Sequence, residues 1–166
     1  MKPSARTRRC RGSRTGNTEK AAMKVADGAR EVEGIQCIIR KVDDAQLEDV
    51  IEADGIIIGS PTYYGCMSDK IKALLDRSVK IHGELEDKVG AAFISSGGTA
   101  TGAETTILSI LKAFLIHGMI IKGDHEGQHY GLAVVGAPDR EEGKLCRRFG
   151  TRVAELVTRI SGKTES

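Results

Sequence analysis

Short apolar runs alternate with helix-patterned segments along this chain, and that alternation limits the fold more than any other feature. Asp54-Gly-Ile-Ile-Ile-Gly59 is brief, β-branched and unbroken by polar residues, the pattern of a strand buried on both faces. Val89-Gly-Ala-Ala-Phe-Ile94 and Leu132-Ala-Val-Val-Gly136 read the same way. Helical spacing of apolar residues predicts helices over about 17–32, 68–80, 103–117 and 140–160. Ile35 to Val42 alternates in part and suits an edge strand, and residues 118–123 are a further strand candidate. Residues 43–52 predict one or two helical turns. Strands alternating with helices imply an α/β sandwich around a parallel sheet. In such sheets ligands bind at the carboxyl ends of the strands. The loops there decide what the chain does.

The 166 residues suit one domain and can bury a core without disulfides. No apolar run approaches the ~20 residues needed to span a bilayer, and no secretory signal is evident, so a cytoplasmic location is expected. Cys10, Cys37, Cys66 and Cys146 are widely spaced with no C-x-x-C, which predicts reduced thiols and no metal site. His125 and His129 stand four apart, but Gly127 between them argues against a helical ligand face.

The net charge of +2 hides an asymmetry. Residues 1–12 hold Lys2, Arg6, Arg8, Arg9 and Arg11 and no acid; the remainder, with 20 basic and 23 acidic residues, nets −3. A nearly neutral body without a basic, aromatic-laced stripe excludes a nucleic-acid-binding surface of the usual kind.

Three loops carry the chemistry. Ser13-Arg-Thr-Gly-Asn-Thr18 precedes the first helix and offers hydroxyls, backbone N–H groups and a helix N-terminus to a phosphate. It does not match the GxxxxGK[ST] loop of nucleotide triphosphatases. Pro61-Thr-Tyr-Tyr-Gly65 follows the second apolar run and brings two of the chain's three tyrosines side by side. Ser95-Ser-Gly-Gly98 opens a Gly/Thr-rich stretch in which a backbone can approach a ligand closely. Each loop has a plainer reading: a helix cap, a packed turn, a small-residue bend.

Together, in this order and spacing over about residues 13–160, the loops resemble those of the flavodoxin-like superfamily, especially its NAD(P)H-dependent FMN oxidoreductases and WrbA-type quinone reductases. The resemblance implies a three-layer sandwich with a parallel sheet of about five strands in the order 2-1-3-4-5. It implies FMN as cofactor. Ser13, Arg14, Thr15, Gly16, Asn17 and Thr18 would take the phosphate, and Pro61, Thr62, Tyr63, Tyr64 and Gly65 the ring. Ser95, Ser96, Gly97 and Gly98 would flank the flavin. His129, beside Tyr130 and Gly131, is the candidate catalytic side chain, with the flavin carrying the chemistry. The implied activity passes electrons from NAD(P)H to a quinone or similar small acceptor, in a homo-oligomer (dimer or tetramer). A flavodoxin-type electron carrier is the alternative, and a non-flavin-binding member damaged at its first strand is another.

That last alternative comes from residues 1–12. The family's first strand belongs here, at the sheet centre, yet the segment holds Pro3 and four arginines. Buried unpaired charge is costly, and proline is confined to strand starts and edges. The expectation is therefore a first strand degraded or absent in residues 1–12, an atypical basic segment ahead of a domain over 13–161 and a frayed tail over 162–166. A basic arm, a divergent variant and a coding change upstream of Ser13 remain open as its origin.

Overall fold

The computed structural model describes the backbone of residues 5–11 and the whole of residues 16–162. Strands β1 (Ala5–Arg11), β2 (Ile35–Ile39), β3 (Gly55–Pro61), β4 (Val89–Ser96), β5 (Ile120–Ile121) and β6 (Leu132–Val135) form one parallel sheet. Helices α1 (Asn17–Arg30), α2 (Leu47–Ile51), α3 (Asp69–Arg77), α4 (Ala103–Ile116) and α5 (Arg140–Ser161) connect and cover it. The strand order is β2-β1-β3-β4-β5, and β6 also pairs with β4.

The expected missing strand is corrected here. Ala5–Arg11 forms a central strand, in register with Ile35–Ile39 on one side and Gly55–Gly59 on the other. A parallel ladder is built from backbone N–H and C=O groups, which every non-proline residue supplies. Pro3 lies outside the described residues. Arginine content bears on side chains, and the ladder does not depend on them.

The sheet has five positions, the last of them shared. Ile120–Ile121 pairs with Val89–Gly90, and Leu132–Val135 pairs further along the same edge of β4 with Phe93–Ser96. Residues 122–131 leave the sheet between them. This excursion is pinned to α5: Arg148 reaches Asp124 and Glu126, at 3.2 and 2.7 Å, and Arg152 lies 3.5 Å from Asp124. Burial opposes ionisation of Asp124, but the Glu126 N–H and the charges of Arg152, Arg148 and His125 outweigh it and hold the carboxyl below the usual carboxylate range. Gln128 closes the excursion by bonding both the N–H and the C=O of Ala133.

Alternation along β3 and β4 divides the core into two layers. Ile56, Ile58, Ala92 and Ile94 pack with Ile71 and Leu74 of α3 and Ile107, Ile110 and Phe114 of α4. Ile57, Val89, Ala91 and Phe93 pack on the other face with Ala21 and Val25 of α1 and Cys146, Val153 and Val157 of α5. Every residue of β3 and β4 is buried, the apolar runs Gly55–Gly59 and Val89–Ile94 together with the serines that end them. Gly28 and Gly150 let α1 and α5 approach backbone to backbone; a Cβ at either would collide with a carbonyl of the facing helix. No described helix is long and apolar enough to cross a membrane.

Candidate functional site

Because β2 and β3 flank β1 on opposite sides, the chain leaves the sheet centre in both directions, and the carboxyl ends of β1 and β3 mark the switch point where open α/β sheets have their binding crevice. The three sequence-marked loops start from β1, β3 and β4. Ser13, Arg14 and Thr15 lie outside the described residues. Gly16 sits at the N-cap of α1 with φ 75°, a conformation that favours glycine, and among the described residues no side chain caps the helix. The helix start thus presents backbone donors and its positive end toward the first loop.

Thr18 and Ser95 are brought together. Thr18 is fully buried in the first turn of α1, and its Oγ1 lies 2.6 Å from Ser95 Oγ at the end of β4. Ser95 also accepts, through its carbonyl, the N–H of Thr62 at 2.9 Å. One residue therefore ties all three loops: its hydroxyl to α1, its carbonyl to the segment after β3.

Pro61 is the last, buried residue of β3, level with Ser95 in the ladder. Thr62 Oγ1 is buried without a hydrogen-bond partner. Tyr63 and Cys66 exchange both backbone hydrogen bonds at 3.0 Å around Tyr64 (φ 50°) and Gly65 (φ 73°). Two successive positive φ values make this a type I′ turn, unusual in placing a bulky tyrosine in the left-handed region. Neither tyrosine of the turn packs into the core: Tyr64 is fully exposed and Tyr63 is 42% exposed. Two large flat side chains at the rim of the crevice suit a planar ligand. Cys66 is exposed beside them as a free thiol.

The turn is held from below by residues the sequence did not flag. Thr105 Oγ1 lies 2.8 Å from the Gly65 carbonyl and 3.0 Å from that of Gly102, and donates its one proton between them. Gly102, at φ 90°, packs so tightly that a Cβ there would come within 2.6 Å of Gly65 Cα. Ser60 Oγ, fully buried, donates to the Pro61 carbonyl and accepts the Ser68 N–H, linking the end of β3 to the cap of α3. Forty residues separate Thr105 from Gly65, so no local pattern reveals the contact.

In the third loop, Ser96 Oγ and Thr101 Oγ1 both donate to the Gly98 carbonyl at 2.8 Å, curling the chain over Gly97 and Gly98. A Cβ on Gly97 would meet nothing within 4 Å, so that side of the loop is open. Beyond it lies a cleft of about 440 Å³ between the loop, the start of α4 and the 127–131 segment, with Ser96, Gly98, His129 and Tyr130 in its lining. His129 Nδ1 lies 2.8 Å from the Asp124 carbonyl. A carbonyl only accepts, so Nδ1 carries the proton and Nε2 is the bare nitrogen of the neutral ring. His117, buried at the C-terminus of α4, is away from this cleft and bonds Ser78 Oγ through Nε2 at 2.8 Å. Burial and the neighbouring His82 push its imidazole below the usual range.

Known proteins place the chain in a family. Residues 41–127 match the family of NADPH-dependent FMN reductases. The chain is 44% identical over 153 residues to a flavodoxin of Aquifex aeolicus, covering 87% of this chain and 83% of that one. It is 34% identical over 180 residues to an NAD(P)H dehydrogenase (quinone) of Archaeoglobus fulgidus, covering 88% and 94%. Among solved structures it is similar to a flavodoxin, WrbA-like protein from Agrobacterium tumefaciens, with a TM-score of 0.82 at 24% identity over 94% of this chain and 99% of that one. At that identity the likeness speaks for the fold.

Proposed function

Because this chain belongs to the NADPH-dependent FMN reductase family, within the flavodoxin-like proteins, we propose that it passes electrons from NAD(P)H through FMN to a small quinone-type acceptor. The observation that carries the reading is Ser95, which binds the phosphate-side loop and the ring-side loop into one rim through Thr18 and Thr62. The residues suit FMN on their own chemistry. The N-cap of α1 is a glycine with no side chain to cap the helix, which suits an anion there, and Thr62 Oγ1 is a buried polar atom without a hydrogen-bond partner among the described residues.

On this reading Ser13, Arg14, Thr15, Gly16, Asn17 and Thr18 hold the phosphate, Pro61 to Gly65 hold the ring, and Ser95 to Gly98 flank the flavin or its ribityl chain. Bound FMN supplies the redox chemistry, taking two electrons from the nicotinamide and handing them on. The chain's own work is orientation and protection from water. The rigid 62–66 turn fixes the ring plane, and the cleft beside Gly98 admits the second reactant. His129 faces that reactant. With Nδ1 committed to the Asp124 carbonyl, Nε2 of the neutral imidazole accepts a hydrogen bond, and it donates one, or a proton, only as imidazolium.

The electron-carrier reading has a named relative in its favour, the Aquifex aeolicus flavodoxin. Against it stands the weak charge of the body, since carriers typically use strongly acidic surfaces to steer partners. The proposed enzyme is cytoplasmic and homo-oligomeric. Steady-state oxidation of NADH and NADPH by the FMN-loaded protein, with and without a soluble benzoquinone, decides between the two. Quinone-dependent turnover supports the enzyme; its absence from a fully loaded protein supports the carrier.

A further inference from the structure

Helix α4 presents an unusual face to solvent. Its inner side sends Ile107, Ile110, Leu111 and Phe114 into the core. A helix lying on a sheet ordinarily turns charge outward, as α3 does with Lys70, Lys72, Asp76 and Arg77. The outward stripe of α4 is instead Thr105, half-buried Leu108, Lys112, Leu115 and Ile116, spaced by three and four residues. Leu115 is 60% and Ile116 72% exposed. A helix that is apolar on every side is ordinarily covered by something. The two ends of this stripe carry further exposed apolar surface. At the C-terminal end, Ser78 bonds His117, and Val79 beside it is 73% exposed. At the N-terminal end, the turn bearing the fully exposed Tyr64 rests on Gly102 and Thr105. Exposed apolar surface gathered in this way marks an interaction site.

We propose that a second copy of this chain docks on the outer face of α4, the two helices lying antiparallel about a two-fold axis at Leu108. Charge selects that occupant. Glu104 and Lys112 are the only charged residues of α4, and they stand four residues to either side of Leu108 on the same face. An antiparallel pair centred on Leu108 sets each Glu104 against the partner subunit's Lys112. The face is then its own complement, as a two-fold contact requires. A parallel pair would set Lys112 against Lys112. The antiparallel order also carries the Leu115–Ile116 end of one copy toward the Tyr64 end of the other, so each subunit shields the outer side of its partner's ring-side turn. The proposal gives the homo-oligomer its contact and stands on the face of α4, whatever cofactor the chain binds.

Sedimentation velocity of the full chain over a range of concentrations tests it, in the unsubstituted protein and in four variants. The unsubstituted chain should run as a dimer, or as a larger even assembly built from dimers. Leu115→Asp places an unpaired charge in the contact and should weaken self-association at least about tenfold. Leu115 is largely exposed, so the change spares the core. Lys112→Glu sets like charges opposite each other and should weaken it by about tenfold. Adding Glu104→Lys to Lys112→Glu restores opposite charges and should bring association back to within about threefold of the unsubstituted chain. Met23→Asp, on the exposed side of α1, should change nothing. A chain that stays monomeric at every concentration would overturn the proposal. So would association indifferent to Leu115→Asp and Lys112→Glu, or lost equally in Met23→Asp. A charge-reversed pair no better than Lys112→Glu alone would overturn the antiparallel order. No flavin enters the measurement, so each of these failures leaves the FMN reading standing.

Discussion

Gly102→Ala tests how the ring-side turn is held. Gly102 has φ 90°, and an added Cβ would lie 2.6 Å from Gly65 Cα and 3.2 Å from Thr105 Oγ1. Carbon atoms settle at about 3.5–4.0 Å, so one backbone must retreat by about 1 Å. The left-handed conformation costs a non-glycine residue about 1–2 kcal/mol. Overpacking against backbone adds about 1–3 kcal/mol. The sum is roughly 2–5 kcal/mol, which lowers a urea midpoint by roughly 1–2.5 M at a slope of about 2 kcal/mol/M. Gly65 sits inside the type I′ turn, so its displacement moves Tyr64 and the Thr62–Tyr63 backbone. FMN affinity should fall by at least about tenfold. Gly97→Ala is the control, because a Cβ there meets nothing within 4 Å and φ is not positive; stability should stay within about 0.5 kcal/mol. The assay is urea unfolding of the apo-protein, paired with FMN titration. If Gly102→Ala matches the unsubstituted protein in both, the turn does not rest on α4 and the geometry argued for the crevice is wrong.

Two further outcomes follow from the histidines. His117 is held neutral by burial and by His82, so the unfolded chain binds a proton more readily than the folded one once pH drops below about 6.5. Stability should therefore be full above that pH and decline as pH falls toward the depressed folded value, by at most about 1.4 kcal/mol per pH unit. His117→Asn should flatten that part of a urea-midpoint profile, and an unchanged slope would contradict the assignment. His129→Phe should slow quinone reduction by about tenfold or more while leaving FMN affinity within about twofold, since the imidazole lines the cleft proposed for the acceptor. Stopped-flow reoxidation of the reduced protein by quinone measures it, and an equal loss in FMN binding would mean His129 serves the cofactor instead.

Most of the fold was legible because its signals are local. The apolar runs over 54–59 and 89–94 lie in the central strands Gly55–Pro61 and Val89–Ser96, and helix periods place α1, α3, α4 and α5 within a few residues. What stayed hidden is non-local. Nothing in residues 118–136 says that Ile120–Ile121 and Leu132–Val135 share one edge of β4, because that depends on register across the sheet. Nor does sequence pair Thr18 with Ser95, or Thr105 with Gly65. Turn chemistry ordinarily asks for Asn-Gly or Gly-Gly in a type I′ turn, so Tyr64 at φ 50° was not readable from Pro-Thr-Tyr-Tyr-Gly. Ala5–Arg11 misled for the opposite reason. Its composition is a statement about side chains, whereas its strand is made by the backbone.

The central claim is that one flavin is held where the loops after β1, β3 and β4 meet at Ser95. Amide hydrogen exchange of the apo-protein, with and without saturating FMN, tests it most directly. The account predicts new protection at Asn17–Thr18, at Thr62–Cys66 and at Ser96–Gly98, with α5 and the far end of the sheet unchanged. Protection confined to the 122–131 excursion and α5, with the three loops exchanging as before, would contradict it.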